Sequence, residues 1–383
     1  MILSTTVRSL VTRLRSLVRH LWVYALHMSG ALARAKSRIR ADEGAVVLTL
    51  HRVLPDRERG TTLSPPGMVM SEQTFASMVR YLAAEHRVFP LDAPQKSVRT
   101  DQRIAIAITF DDGWVDNARY AQRILARHAM PAAIFLCPEE MGKSLPFWPE
   151  RLVAFFRAAT RLRREKEFLD VIRECAHLPE SKVIAQADEL VEVIKEFSAR
   201  RRNLLFERLE QLGFGKNLGN SLDTDSTMSW EEARRLSESG FLLGSHTLHH
   251  EILTRIPLEE TCEEIIESRK RLNLEIGRRC FAFAYPNGDW SPEIRELTAS
   301  AGYAMAFANK PGVWTAQTDL FTVPRIGLWE GAVTNLRGHF SRPHFEYVVF
   351  WKTLREAETR KASLPGPFFK KNELKAGLSP RVA

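Results

Sequence analysis

Three short segments hold the residue types that could do chemistry. In Ile108-Thr109-Phe110-Asp111-Asp112-Gly113-Trp114, an alternating apolar run ends in two adjacent carboxylates and a glycine. Neighbouring carboxylates repel, so keeping both ionised is costly without a cation. The pair suits a division of labour in which one binds a metal and the other handles a proton; an exposed turn capping a helix would look the same. In Gly244-Ser245-His246-Thr247-Leu248-His249-His250, three histidines follow a short apolar strand. His246 and His250 are four apart, so one helical turn would set both imidazoles on one face, a ligand spacing that suits zinc. The zinc-protease pattern HExxH is absent, because Thr247 stands at its glutamate position, and His249 falls off the shared face. In Phe281-Ala282-Phe283-Ala284-Tyr285-Pro286-Asn287-Gly288, small residues alternate with aromatics before a turn. Alone, it implies only a strand and a tight loop.

The elements that must position these residues alternate in type. Strand candidates are Ala45–Leu50, Ile104–Phe110, Ala132–Leu136, Phe241–Gly244, Phe281–Ala284, Ala304–Ala308 and Phe321–Ile326. Helical patterns fall between them near 72–86, 115–129, 230–239, 257–275 and 291–301. Such alternation predicts a parallel sheet, and seven strands in this order predict an irregular (β/α) barrel with its active-site loops at the strand C-terminal ends. The barrel should comprise residues 44–138 and 226–340. Residues 139–225 are helical in pattern and charged, and read as an insertion beside the barrel mouth. Its first helix carries Phe147, Trp148, Leu152, Phe155 and Phe156, which could stack on sugar rings or glue the insertion to the barrel.

Composition narrows the function classes. A chain of 383 residues with 44% hydrophobic and 26% charged residues is an ordinary globular protein. No stretch is apolar for the ~20 residues a bilayer crossing needs. Cys137, Cys175, Cys262 and Cys280 form no CxxC pair and read as reduced packing residues. The net charge of +9 sits at the ends: residues 1–45 carry eight Lys/Arg against two Asp/Glu, residues 349–383 eight against three, leaving the middle slightly acidic. That argues against a nucleic-acid groove and suits an anionic lipid surface. In the N-terminal segment 1–43, Val7, Leu10, Val11, Leu14, Leu17, Val18 and Leu21 recur at helical spacing, with Arg8, Arg15 and Arg19 off the stripe. A helix lying on a membrane through residues 1–40, a helix packed on the catalytic domain, and a signal peptide with a short core all fit this pattern. Residues 341–383 read as a basic tail.

Taken together, the three segments resemble the NodB-homology polysaccharide deacetylases, carbohydrate esterase family four, over roughly residues 44–330. Thr109–Gly113 is similar to that family's first motif, His246–His250 to its second (H-S/T-x-x-H), and Phe283–Gly288 to a variant third motif, F-A-Y-P-x-G. The resemblance implies one divalent metal ion, with Zn²⁺ expected, on Asp112, His246 and His250, and Asp111 as catalytic base. It also implies an oxyanion donor near Asn287. Ala284 replaces the arginine that many relatives carry in the third motif, and Arg325 in Val323-Pro324-Arg325-Ile326 matches the variant branch, where it would orient Asp111. No C-terminal leucine-x-histidine strand supplies the general acid; His339 and His344 lie outside that pattern. Val46–Val53 resembles the Y-H-x-V segment of the permuted branch, with Leu50 for tyrosine, so His51 is the candidate acid. Trp114, Tyr285 and Asn287 are candidate substrate contacts. The implied activity is hydrolysis of N-acetyl groups on a glycan of bacterial exopolysaccharide or envelope metabolism. The expected location is the cytoplasm or the inner-membrane periphery, with secretion as the alternative. O-deacetylation, deacetylation of a lipid-linked sugar and non-catalytic glycan binding on the same scaffold are the rivals.

Overall fold

The computed structural model describes residues 5–92, 103–145, 147–178, 187–215 and 224–356. Among the described residues ten strands form in chain order: β1 (Ala45–Leu50), β2 (Arg52–Leu54), β3 (Val69–Ser71), β4 (Arg87–Val88), β5 (Ala105–Phe110), β6 (Ala133–Leu136), β7 (Leu242–Ser245), β8 (Ala282–Ala284), β9 (Met305–Phe307) and β10 (Ile326–Gly327). Seven of them lie in the order β10-β1-β5-β6-β7-β8-β9, every pair parallel, with β4 added beside the start of β5. This is the expected (β/α) barrel in irregular form: the wall between β9 and β10 is completed by a single parallel bridge, Phe307 to Val323. The first strand pairs with the last, Leu48 opposite Ile326.

Burial explains the strands. All six residues of β1 and of β5 are buried, as befits strands covered on both faces. Helices Glu72–Glu85, Trp230–Glu238, Leu258–Ile276 and Pro292–Ser300 lie between strands as their periodicity predicts. The last strand is shorter than expected. Phe321–Ile326 contracts to the bridge at Val323 and to β10, because Pro324 between them has no N–H to give the ladder. The helix expected over 115–129 runs from Asn117 to Ala126 and opens with a π-helical turn.

The insertion contains helices Trp148–Arg161, Glu165–Ala176, Ala187–Ile194 and Ala199–Gln211. It has its own apolar core, in which Leu152, Phe155, Phe168, Ile172, Leu205 and Phe214 are buried together. Phe155 and Phe156 therefore hold the insertion together and do not face a ligand.

The reading of 341–383 as a tail is corrected for its first part. Arg342–Lys352 is helical, and Phe345, Val349 and Phe350 enter the barrel's core cluster; residues 357–383 lie outside the described residues. Against this segment pack α1 (Thr5–Met28) and α2 (Ala31–Ala41). In α1, His20, Val23 and Leu26 are buried, and His20 Nδ1 lies 2.6 Å from His344 Nε2. Leu14, Leu17, Val18, Leu21, Trp22 and Met28 are exposed on the opposite side. The side chains of Val7, Leu10 and Val11 lie outside the described residues. Among the described residues, no helix is long and apolar enough to cross a membrane.

Candidate metal centre and active site

The functional side chains gather at the C-terminal ends of the parallel strands. β5 delivers Asp111 and Asp112, β7 delivers His246 and His250, β8 the turn Pro286–Gly288, and β1 His51. Arg325 rises inside the barrel from the start of β10, buried between the rings of Phe135 and Phe307.

The two adjacent aspartates are separated by their partners. Asp111 is held by a bidentate ion pair, Arg325 Nη1 to Oδ1 at 2.6 Å and Nη2 to Oδ2 at 2.8 Å. Burial would raise its pKa, but Arg325, more than any other neighbour, holds the carboxyl below its usual range. Asp112 has no such cation. Its Oδ2 accepts the indole N–H of Trp114 at 2.9 Å, while Oδ1 is buried and has no hydrogen-bond partner. That bare oxygen lies 3.6 Å from His246 Nε2 and 3.4 Å from His250 Nε2, and ligand atoms of all three residues fall within 4.8 Å of one another. Against a cost of burial that would raise it, Asp112 is held well below the carboxylate range by His250 first and then by His51 and His246.

The donor set fits a divalent cation. An orphaned buried carboxylate oxygen is expensive, and here it converges with two imidazole nitrogens at ligand spacing. His246 Nδ1 is 2.7 Å from the carbonyl of Ala284; a carbonyl only accepts, so Nδ1 carries the proton and Nε2 presents its lone pair to the centre. Burial lowers the His246 pKa to about 4, which keeps the ring neutral and able to ligate. The third-motif alanine thus contributes its backbone oxygen as the support of a ligand.

The His pair converges by another route than the helical turn expected from its spacing. Residues 246–250 form a loop in which Thr247 (φ 67°) and His250 (φ 63°) are left-handed. Glu264 makes this possible by accepting the N–H groups of Leu248 and His249 at 2.8 and 2.9 Å. It also pairs with His249 Nδ1 at 2.7 Å, so His249 stands outside the ligand set, as expected.

A cavity of about 310 Å³ opens on this centre. Its lining includes His51, Asp111, Asp112, His246, His250, Tyr285, Asn287 and Arg325 from the barrel, and Phe147, Trp148 and Glu150 from the insertion. Tyr285 borders the cavity with its hydroxyl turned away onto the carbonyl of Phe321. Asn287 is exposed in a left-handed turn (φ 57°). The next residue must be glycine: at Gly288 (φ 77°) a Cβ would meet the backbone N of Asn309 at 2.2 Å. The expectation that Trp114 touches substrate is corrected. The indole is wholly buried behind Asp112, edge-on to Phe147, and outside the cavity.

Sequence reasoning missed two further groups. Glu150 is buried in the cavity wall, accepts from Ser64 Oγ at 3.0 Å and is pushed up to about 7 by burial. Arg52, fully buried, pairs with Asp116 and Asp225. Its only signal was a charge placed directly after His51 inside an apolar run.

The seven-strand (β/α) barrel thus carries at its mouth an Asp-His-His set that could hold a cation, beside a separate Arg-held aspartate. The polysaccharide deacetylase family model matches residues 98–206 and 211–306, more than half of the chain, and the protein belongs to that family. Bacillus subtilis strain 168 YxkH, whose name places it among polysaccharide deacetylases, is 20% identical over 114 residues, 30% of this chain and 41% of YxkH. The matched part thus spans less than half the length of that relative. Among solved structures, Streptococcus pyogenes deacetylase PplD in complex with acetate aligns at TM-score 0.47 and 13% identity, covering 75% of this chain and 92% of PplD. IcaB from Ammonifex degensii aligns at TM-score 0.46 and 17% identity, covering 81% and 97%.

Proposed function

We propose that this protein hydrolyses N-acetyl groups on a glycan, using one divalent cation, Zn²⁺, held by Asp112, His246 and His250. The observation that carries the reading is the contrast between two neighbouring carboxylates: Asp111 clamped by Arg325, and Asp112 presenting a bare oxygen to two imidazoles. When bound, the cation supplies Lewis acidity, lowering the pKa of water and polarising an acyl carbonyl. Asp111, kept ionised and oriented by Arg325, takes the proton of the attacking water. His51, facing the same cavity, gives a proton to the leaving nitrogen. The turn at Asn287 offers backbone N–H to the developing oxyanion.

The test is acetate release from N-acetylglucosamine oligomers by the full chain, stripped with chelator and then reloaded with Zn²⁺. Activity should vanish and return; full activity in a verified metal-free sample would refute the proposal.

The exposed face of α1 favours a glycan presented at a membrane, including a lipid-linked sugar. Leu14, Leu17, Val18, Leu21, Trp22 and Met28 form an apolar strip on a helix whose other side is already packed. Arg15 flanks the strip in a segment rich in Arg and Lys. An apolar strip bordered by cations matches an anionic bilayer surface, and the proposed location is the periphery of the bacterial inner membrane.

A further inference from the structure

We propose that Trp114 is a positioning residue for the cation ligand Asp112, and that Arg52 locks Trp114 in place. The inference rests on reading Asp112, His246 and His250 as a cation site. Asp112 occupies a left-handed turn (φ 74°) and has one oxygen to spare for support. The Trp114 indole N–H takes that oxygen, Oδ2, at 2.9 Å, and this fixes the carboxylate plane so that Oδ1 faces the imidazoles. A hydroxyl in the same place could rotate; the indole cannot, because the ring is wholly buried and packed by its neighbours. The Arg52 guanidinium lies 4.2 Å from the ring centroid, and Phe147 packs on it at 5.1 Å.

Arg52 is itself fixed. Its Nε donates to Asp116 Oδ2 at 2.9 Å, and its Nη1 to Thr62 Oγ1 at 2.8 Å and Ser64 Oγ at 2.9 Å. It also donates to Asp225 and to the carbonyl of Thr224. Asp116 closes the network by accepting the N–H of Val53 at 2.8 Å. A buried arginine with this many partners has one available position. Asp225 and Thr224 lie where the chain returns from the insertion, and the next residues run beside Trp114, with Val115 N–H donating to Ser226 and Met228 N–H to Gly113. The insertion is thereby tied to the metal ligand through Arg52 and Trp114. Packing alone would explain a buried ring, but not the aim of its one polar atom at the spare oxygen of a ligand.

The experiment compares the full chain with Trp114→Phe, which keeps the ring and removes the donor. Zn²⁺ affinity is measured by competition with a chromophoric chelator, and folding by circular dichroism and thermal melting. We expect a folded variant with Zn²⁺ affinity lowered ~10–100-fold, the range for a lost support of a ligand. Affinity within twofold of wild type would overturn the proposal. If wild type itself binds no cation, the reading of the centre fails instead, which distinguishes the two. Arg52→Lys is then combined with Trp114→Phe. If Arg52 acts through the indole, its effect on affinity disappears in the Trp114→Phe background; an undiminished effect removes Arg52 from the proposal. Should Trp114→Phe not fold, Arg52→Lys alone is scored by the same affinity threshold; should Arg52→Lys not fold, Ser64→Ala takes its place in the cycle.

Discussion

The barrel mouth and the outer face of α1 depart from the usual distribution of residues in opposite directions. At the mouth, Asp111, Asp112, Arg52 and Arg325 are fully buried charges. On α1, leucines, a valine and a tryptophan are left in solvent. Either departure carries a cost: charges seldom leave water unpaired, and proteins seldom expose a contiguous apolar strip. What differs is how the cost is met. Arg52, Arg325 and Asp111 each have a counter-charge within the fold, whereas Asp112 Oδ1 faces only two imidazoles. Apart from an edge contact between Trp22 and Trp351, the strip on α1 is left in solvent among the described residues. On the proposed function one region is completed by an ion and the other by a surface, and the two should fail independently.

The largest expected effects break the mouth. Asp111→Asn should keep the cation and lose ~10²–10⁴-fold in turnover, the range for a general base. Asp112→Asn should instead lose the cation, and equal metal loss in both variants would collapse the division between the two carboxylates. Next comes His51→Ala, expected to leave metal content intact and cut amide turnover ~10²–10⁴-fold, while an acylated sugar with a good leaving group suffers much less. An equal loss on both substrates would make His51 structural.

A subtler change concerns pH. Arg325 stabilises ionised Asp111, so without it the aspartate keeps its proton to higher pH. In Arg325→Gln the acid limb of the kcat/KM profile should therefore move upward in pH; an unmoved limb would detach Arg325 from the base. The smallest effect on chemistry is expected from Leu17→Ser with Leu21→Ser on α1. Sedimentation with anionic vesicles should fall, while acetate release from a soluble oligomer stays at the wild-type level. Equal, weak pelleting of both proteins would end the membrane reading.

How much of this was legible in the sequence depended on whether the signal was local. Alternation and strand-end chemistry located β1 and β5 through β9 within a residue or so, together with the aspartates and histidines that follow β5 and β7 and converge in space. The conformation of His246–His250 was not legible, because spacing of four also fits a loop, and the residue that shapes the loop, Glu264, lies in a separate helix. The burial of Trp114 was not legible, because its neighbours Arg52 and Phe147 come from distant segments. Arg52 and Glu150 were invisible for the same reason: a buried charge betrays itself only when its partners are known. The apolar period of α1 was plain, but only the packed position of His20, Val23 and Leu26 shows which side of the helix remains uncovered.

The pairing of the first strand with the last has a consequence for the order of events during synthesis. Asp111 and Arg325 are 214 residues apart, and the strand that precedes His51 is hydrogen-bonded to β10. A nascent chain that has made the whole aspartate-histidine set still lacks the arginine that clamps Asp111 and the edge that closes its wall. Contacts of such long sequence separation form late and slowly. The barrel wall therefore closes only after residues 325–327 have left the ribosome, and shorter products present the aspartate-histidine set without the arginine that clamps Asp111.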